Sequence, residues 1–183
     1  LAQDALYLRD YSRVLAAASR LAPTPQEQEF WAGSAKGCIV GELELHATWL
    51  TPAQGVIGGS FAAEPSATTT GYLDHLRSAA FGGDYAVLIA AALPCFWLYT
   101  DLGVRLGEGA FGAYARDPRH PYASWLSTYA DPDFADASDR AISYVARAAS
   151  AASPAQRGRM LRAFERSSVF ERDFFAAPID RHG

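Results

Sequence analysis

From residue 2 to residue 21 the apolar positions Leu6, Leu8, Val14, Leu15 and Leu21 recur among Arg9, Asp10, Arg13 and Arg20, the period of an amphipathic helix. Pro23-Thr24-Pro25 stops it. Thr24 is placed to cap a second helix with Pro25 in its first turn, and that helix is predicted to run to about residue 50. Its centre is dotted with Gly33, Gly37 and Gly41, which points to close packing at some cost in helix propensity. Residues 51–70 carry Gly55, Gly58, Gly59 and Pro65 and are predicted to be a loop, with Thr68 or Thr69 starting a third helix over residues 70–81. Gly82-Gly83 ends that helix. Asp84 caps a long apolar one, residues 85–106. A loop over residues 108–119 leads to a short helix at 121–129. Asp131-Pro132 and Ser153-Pro154 cap the last two helices, which run to about residues 150 and 176. No segment alternates as a half-buried strand does. The pattern predicts an all-α bundle of about seven helices around one core, a single domain over residues 1–183.

The long apolar helix is interrupted by Pro94, which removes a backbone donor and predicts a kink. Cys95 follows at once, and Tyr99 lies four residues on, so the thiol and the phenol share a helix face. A kink beside a thiol makes room for a ligand, although buried cysteine is most often an inert small hydrophobe. Asp4 and Tyr7 share a face of the first helix, either as pocket groups or, for Asp4, as a surface carboxylate near a helix start. Tyr72 and Tyr129 read as core aromatics with satisfied hydroxyls or as ligand contacts. Glu171 stands between Phe170 and Phe174-Phe175. It is either exposed among them or buried with a raised pKa, and in the second case it suits general acid–base work near neutral pH. Glu42 and His46 are four apart on one face, but Glu44 points elsewhere. A di-iron bundle needs a Glu and a His three apart, twice over, and that pattern is missing.

Charge and composition narrow the field. The net charge of −4 over 183 residues, with one lysine (Lys36) among sixteen basic residues, leaves no basic footprint for nucleic acid. Two cysteines, Cys38 and Cys95, make no disulfide framework and point to a reduced, cytoplasmic setting. The apolar run around Cys95 is broken by Pro94, Tyr99, Asp101 and Arg105, against a membrane span. The chain opens at Leu1, without Met, on a residue already helical in pattern, so a segment upstream is expected.

The blocks Gln3-Asp4-Ala5-Leu6-Tyr7-Leu8, Glu42-Leu43-Glu44-Leu45-His46, Tyr72 opening a helix, Leu93-Pro94-Cys95-Phe96-Trp97-Leu98-Tyr99, His120-Pro121-Tyr122 through Trp125 to Tyr129, and Ser167-Ser168 through Glu171 to Phe174 occur in that order along nearly the whole chain. In this order and spacing the sequence resembles the TenA family, also called thiaminase II or aminopyrimidine aminohydrolase. The resemblance implies a haem-oxygenase-like helical fold, a homotetramer, and one further helix before Leu1 that helps cover the pocket. It also implies roles: Cys95 as nucleophile, Glu171 as catalytic carboxylate, Asp4 as the pyrimidine-binding acid, and Tyr7, Tyr72, Tyr99 and Tyr129 as pocket tyrosines. Cys95 places the chain in the cysteine-containing branch rather than its carboxylate-rich sister. Leu6, often aromatic in the family, and Phe174-Phe175, commonly Phe-Trp, depart from the pattern and bear on pocket shape.

The reaction so implied is hydrolysis at the methylene carbon of a 4-amino-2-methylpyrimidine, with thiamine or its aminomethylpyrimidine product as substrate. Covalent addition of the thiol to the ring needs neither a metal nor an organic cofactor. Two other classes remain open from residues alone. One is a haem or a metal or cofactorless oxidase on the same fold, with His46 the available ligand. The other is a non-catalytic bundle that only holds pyrimidines.

Overall fold

The computed structural model describes residues 2–45, 64–120 and 123–180. Among them the chain is helical without strands: α1 (Ala2–Leu21), α2 (Pro25–Leu45), α3 (Ala67–Phe81), α4 (Tyr85–Ala92), α5 (Pro94–Gly107), α6 (Gly112–Ala115), α7 (Ala123–Tyr129), α8 (Pro132–Ala151) and α9 (Pro154–Asp180). His46, the predicted end of the second helix, most of the predicted loop over 51–70, and Pro121 and Tyr122 lie outside the described residues.

Three expectations need correcting. The third helix starts at Ala67, because Ser66 is its N-cap and accepts from the Thr69 amide at 3.1 Å. The apolar helix is two helices, α4 and α5, meeting at Leu93. The Leu93 amide still bonds Ile89, but the Phe96 and Trp97 amides both turn to the Leu93 carbonyl. Pro94 has no amide to continue the ladder, so a fresh helix begins with proline in its first turn. The predicted loop before residue 120 holds one short helical turn, α6.

The short α4 is the axis of the bundle and touches α1, α3, α5, α8 and α9. Leu88, Ile89, Ala91 and Ala92 have no exposed surface, as a helix apolar on all sides requires. By composition, Tyr85–Gly107 is long and apolar enough to cross a membrane, but much of that stretch is buried inside the bundle. Asp84 caps α4 by accepting from the Val87 amide and also receives Gln156 at 2.9 Å and Arg159 at 2.9 Å from α9. That cap therefore ties the start of α4 to α9. Gly83, with φ of +67°, makes the tight turn from α3.

Two other contacts set the frame of the site. Gln3 clamps the beginning of α1 to the beginning of α3. Its side-chain oxygen accepts from the Ser66 amide at 2.8 Å and the Thr69 hydroxyl at 2.7 Å, and its amide nitrogen donates to the Glu64 carbonyl at 3.0 Å. At Gly103, α5 meets the end of α7 so closely that a Cβ there would stand 1.9 Å from the Tyr129 carbonyl oxygen. An alanine would have to displace backbone, so the missing side chain is what lets α7 bring Tyr129 against α5.

Candidate active site

Five helices deliver side chains to one region inside the bundle. The Gln3 clamp sets α1 against α3, and from α1 come Asp4, 6% exposed, and Tyr7, 3% exposed. Asp4 is thus a buried carboxylate and not a surface helix-start residue. Tyr72 comes from α3, its ring 5.0 Å from that of Tyr7 and stacked on Phe170 of α9 at 5.4 Å. Cys95 and Tyr99 come from α5, and the Tyr99 ring sits 4.7 Å from Tyr129 of α7 and 5.5 Å from Phe175 of α9. Glu171, 2% exposed, comes from α9.

Glu171 is the electrostatic centre. The Tyr72 hydroxyl donates to its Oε1 at 2.8 Å. Burial pushes the Glu171 carboxyl up from 4.5 to about 7; the Asp4 charge adds to the rise, while hydrogen bonds from Tyr72 and Tyr99 oppose it. Removing a carboxylate from water disfavours its charged form, and a second carboxylate nearby does the same. A buried Glu of this kind exchanges its proton near neutral pH.

The Cys95 residue keeps some exposed surface, but its thiol is buried and held well above the ordinary cysteine value. Burial is the main cause and the Glu171 charge the next, with the Tyr7 hydroxyl pulling the other way. The resting group at neutral pH is therefore a neutral thiol. The Tyr7 hydroxyl is buried with no partner at full hydrogen-bond geometry. It nonetheless lies close enough to both Cys95 and Tyr72 to lower their values. The expected partner of the thiol from spacing alone was Tyr99, one turn along the same helix. The Tyr7 phenol of α1 also lies beside the thiol and lowers its value, while Tyr99 lowers that of Glu171. Tyr99 is raised first by burial and then by the Glu171 and Asp4 charges, and Tyr129 first by burial and then by Asp4 and Cys95.

Sequence reasoning missed two participants. Cys38 of α2 is pushed up to about 12 by burial and by the Asp4 charge, and it in turn raises Cys95. Gln3 positions Asp4 and Tyr7 through α3. No spacing signal marks either residue, because both act across helices distant in sequence. Of the Glu42, Glu44 and His46 group, Glu44 is exposed at the end of α2, and His46 lies outside the described residues.

Residues 1–180 match the family model described as TENA/THI-4/PQQC family. The chain belongs to that family. A TENA/THI-4/PQQC relative from Halalkalibacterium halodurans, named aminopyrimidine aminohydrolase, is 30% identical over 94% of this chain and 75% of its own length. The thiamine biosynthesis multifunctional protein ThiED of Corynebacterium glutamicum is 39% identical over 99% of this chain, but the chain spans only 22% of that protein. The fold is that of the crystal structure of a TenA family transcription regulator from Silicibacter sp. TM1040, with a TM-score of 0.79 over 96% of this chain and 78% of the other at 24% identity. The all-α bundle expected of a TENA/THI-4/PQQC member is the architecture described above.

Proposed function

We propose that this chain is an aminopyrimidine aminohydrolase of the thiaminase II type, converting a 4-amino-5-aminomethyl-2-methylpyrimidine, or thiamine itself, to the hydroxymethylpyrimidine. The observation that carries the reading is that the Cys95 thiol and a buried Glu171 carboxyl, raised to about 7, lie close enough for the Glu171 charge to raise the thiol, with the Tyr72 hydroxyl donating to Glu171 at 2.8 Å. The names of the relatives support the same chemistry.

The carbon bearing the leaving group is attached to an aromatic ring that resists direct displacement. In the proposed sequence the Cys95 sulfur bonds to a ring carbon, and a ring nitrogen takes up a proton from Glu171. The electron pair added to the ring then expels the amine from the methylene carbon as ammonia, which carries off the proton the ring nitrogen received, and the ionised Glu171 accepts the proton of the water that adds next. Water adds to the resulting exocyclic methylene, and re-aromatisation breaks the carbon–sulfur bond and releases the thiolate. The proton account suits the resting state. A neutral thiol with an ionised Glu171 holds the same single proton as a thiolate with a protonated Glu171, so transfer within the pair creates both reacting forms at once. Asp4 accepts from the exocyclic amine and sets the ring's orientation, while Tyr7, Tyr72, Tyr99 and Tyr129 wall the flat heterocycle.

The direct test is incubation with the aminomethylpyrimidine and measurement of ammonia and hydroxymethylpyrimidine in equal amounts. Binding without ammonia release would reduce the protein to a pyrimidine carrier. Asp4→Asn is expected to weaken apparent substrate affinity by about 2 kcal/mol, roughly thirtyfold, because a charged partner of a buried ligand amine is lost. An unchanged KM in that variant would remove Asp4 from ring recognition. The same reading makes the working assembly a cytoplasmic homotetramer, and a stable monomer in light scattering at micromolar concentration would contradict it.

A further inference from the structure

Tyr11 lies one turn beyond Tyr7 on α1 and takes no part in the chemistry proposed above. It is 2% exposed, and its hydroxyl donates to the Ala92 carbonyl at 2.7 Å. That carbonyl ends α4. In an unbroken helix it would accept from the Phe96 amide, but at the Pro94 break the Phe96 amide bonds Leu93 instead. The break therefore releases the Ala92 acceptor in a fully buried place, where an unpaired carbonyl is costly. The bond from Tyr11 satisfies it across the helix interface. The Tyr11 ring also stacks on the Tyr7 ring at 5.2 Å, with the planes 19° apart, and lies 6.5 Å from the Phe96 ring. The same side chain thus grips the backbone three residues before Cys95, the aromatic residue just after it, and the phenol beside its thiol.

We propose that Tyr11 is a positioning residue: by holding the Ala92 carbonyl freed at the Pro94 break, it fixes the direction in which α5 presents Cys95 to the Tyr7 hydroxyl and the Glu171 carboxyl. This rests on the reading of Cys95 as nucleophile. A serine or an apolar residue at position 11 would leave the carbonyl unpaired. Phenylalanine keeps the stack and removes only the donor.

Two readouts on Tyr11→Phe test the inference. The first is the rate at which iodoacetamide alkylates Cys95, followed by peptide mass spectrometry so that Cys38 is read separately. The second is steady-state hydrolysis of the aminomethylpyrimidine. Alkylation of Cys95 is expected to change severalfold while that of Cys38 does not. kcat is expected to fall about ten- to a hundredfold with KM within about twofold, because the thiol is misplaced and the ring-binding groups are not. Tyr85→Phe is the comparator. The Tyr85 hydroxyl accepts from Trp31 Nε1 at 2.7 Å, away from the break, and its loss is expected to leave Cys95 alkylation unchanged. An unchanged Cys95 alkylation rate in folded Tyr11→Phe overturns the proposal, and so does an equal change in Tyr85→Phe. If Tyr11→Phe folds poorly, Tyr11→His retains a ring and an N–H donor, and it must then keep more Cys95 reactivity than Tyr11→Leu. Alkylation needs no turnover, so the positioning result stands apart from whether the wild-type protein hydrolyses the pyrimidine.

Discussion

Cys95→Ser is expected to lose nearly all turnover while binding the pyrimidine with close to wild-type affinity. The serine hydroxyl occupies almost the same space as the thiol and keeps one donor and one acceptor, so the walls of the site stay in place. The chemistry does not survive the exchange. Burial and the Glu171 charge already hold the more acidic thiol well above its ordinary value, and an alcohol in the same place stays neutral at any pH the fold tolerates. An oxygen that did add to the ring would also be a poorer leaving group when aromaticity is restored. The measurements are ammonia release and calorimetric binding on the same preparation. A Cys95→Ser protein with a near-native rate would eliminate the covalent route and leave direct water attack assisted by Glu171.

Glu171→Gln is expected to act on rate, pH profile and stability together. The amide keeps the shape and can still meet Tyr72, but it cannot exchange a proton, so turnover should fall by about a hundredfold or more. In the proposed mechanism, the Cys95–Glu171 pair is active when it holds one proton. Below about 7 the carboxyl takes up a second proton, and the thiol then has nowhere to send its own. kcat/KM should therefore fall on the acid side with an apparent pKa near 7, and that limb should be absent in Glu171→Gln. The same group carries a stability signature. Its folded-state value lies above its ordinary one, so between about 4.5 and 7 the folded protein binds the proton and the unfolded chain releases it. By linkage, stability falls as pH rises through that window and levels off above 7, a loss of about 3 kcal/mol from this residue. Above pH 7 Glu171→Gln should be the more stable protein, and between pH 5 and 7 its unfolding midpoint should depend less on pH. Thermal unfolding of both proteins from pH 5 to pH 8 reads this directly. Parallel curves would show that Glu171 is ionised throughout, and an unchanged rate would move the search for the acid to the tyrosines, Tyr72 first.

The two predictions depend on side chains that differ in how legible they are from sequence. A thiol after a proline in an apolar run is visible as a string of letters. So is a carboxylate among three aromatics, although the letters left its burial open. Asp4 could be read equally as a surface cap or a pocket acid. Its burial is a product of the packed bundle, in which the neighbouring Gln3 ties the start of α1 to α3.

Local information set the helical class and most helix ends. Capping residues and prolines act within one turn, and the 3.6-residue apolar period exposes the buried face of each helix. Asp84, Asp131-Pro132 and the Pro94 interruption were therefore readable without a structure. The start of α3 was missed because Ser66 competes with Thr68 and Thr69 for the cap, and Gln3, more than sixty residues away, helps choose it. Partnerships inside the site are of the same non-local kind. Spacing offered the thiol Tyr99, one turn on. Helix packing also brought Tyr7 to it, and set Tyr99 where it lowers Glu171. The proton affinities follow from that packing as well, since burial is a property of the assembled bundle and no stretch of chain carries it alone. The sequence by itself determined an all-helical chain, a proline interruption in its apolar core stretch, and the thiol, carboxylates and phenols on which the proposed chemistry rests. Only the tertiary structure decided which carboxylates are dry, which phenol faces the thiol, and that Tyr11 closes the gap Pro94 opens, because each of these depends on surfaces that meet only when the helices pack.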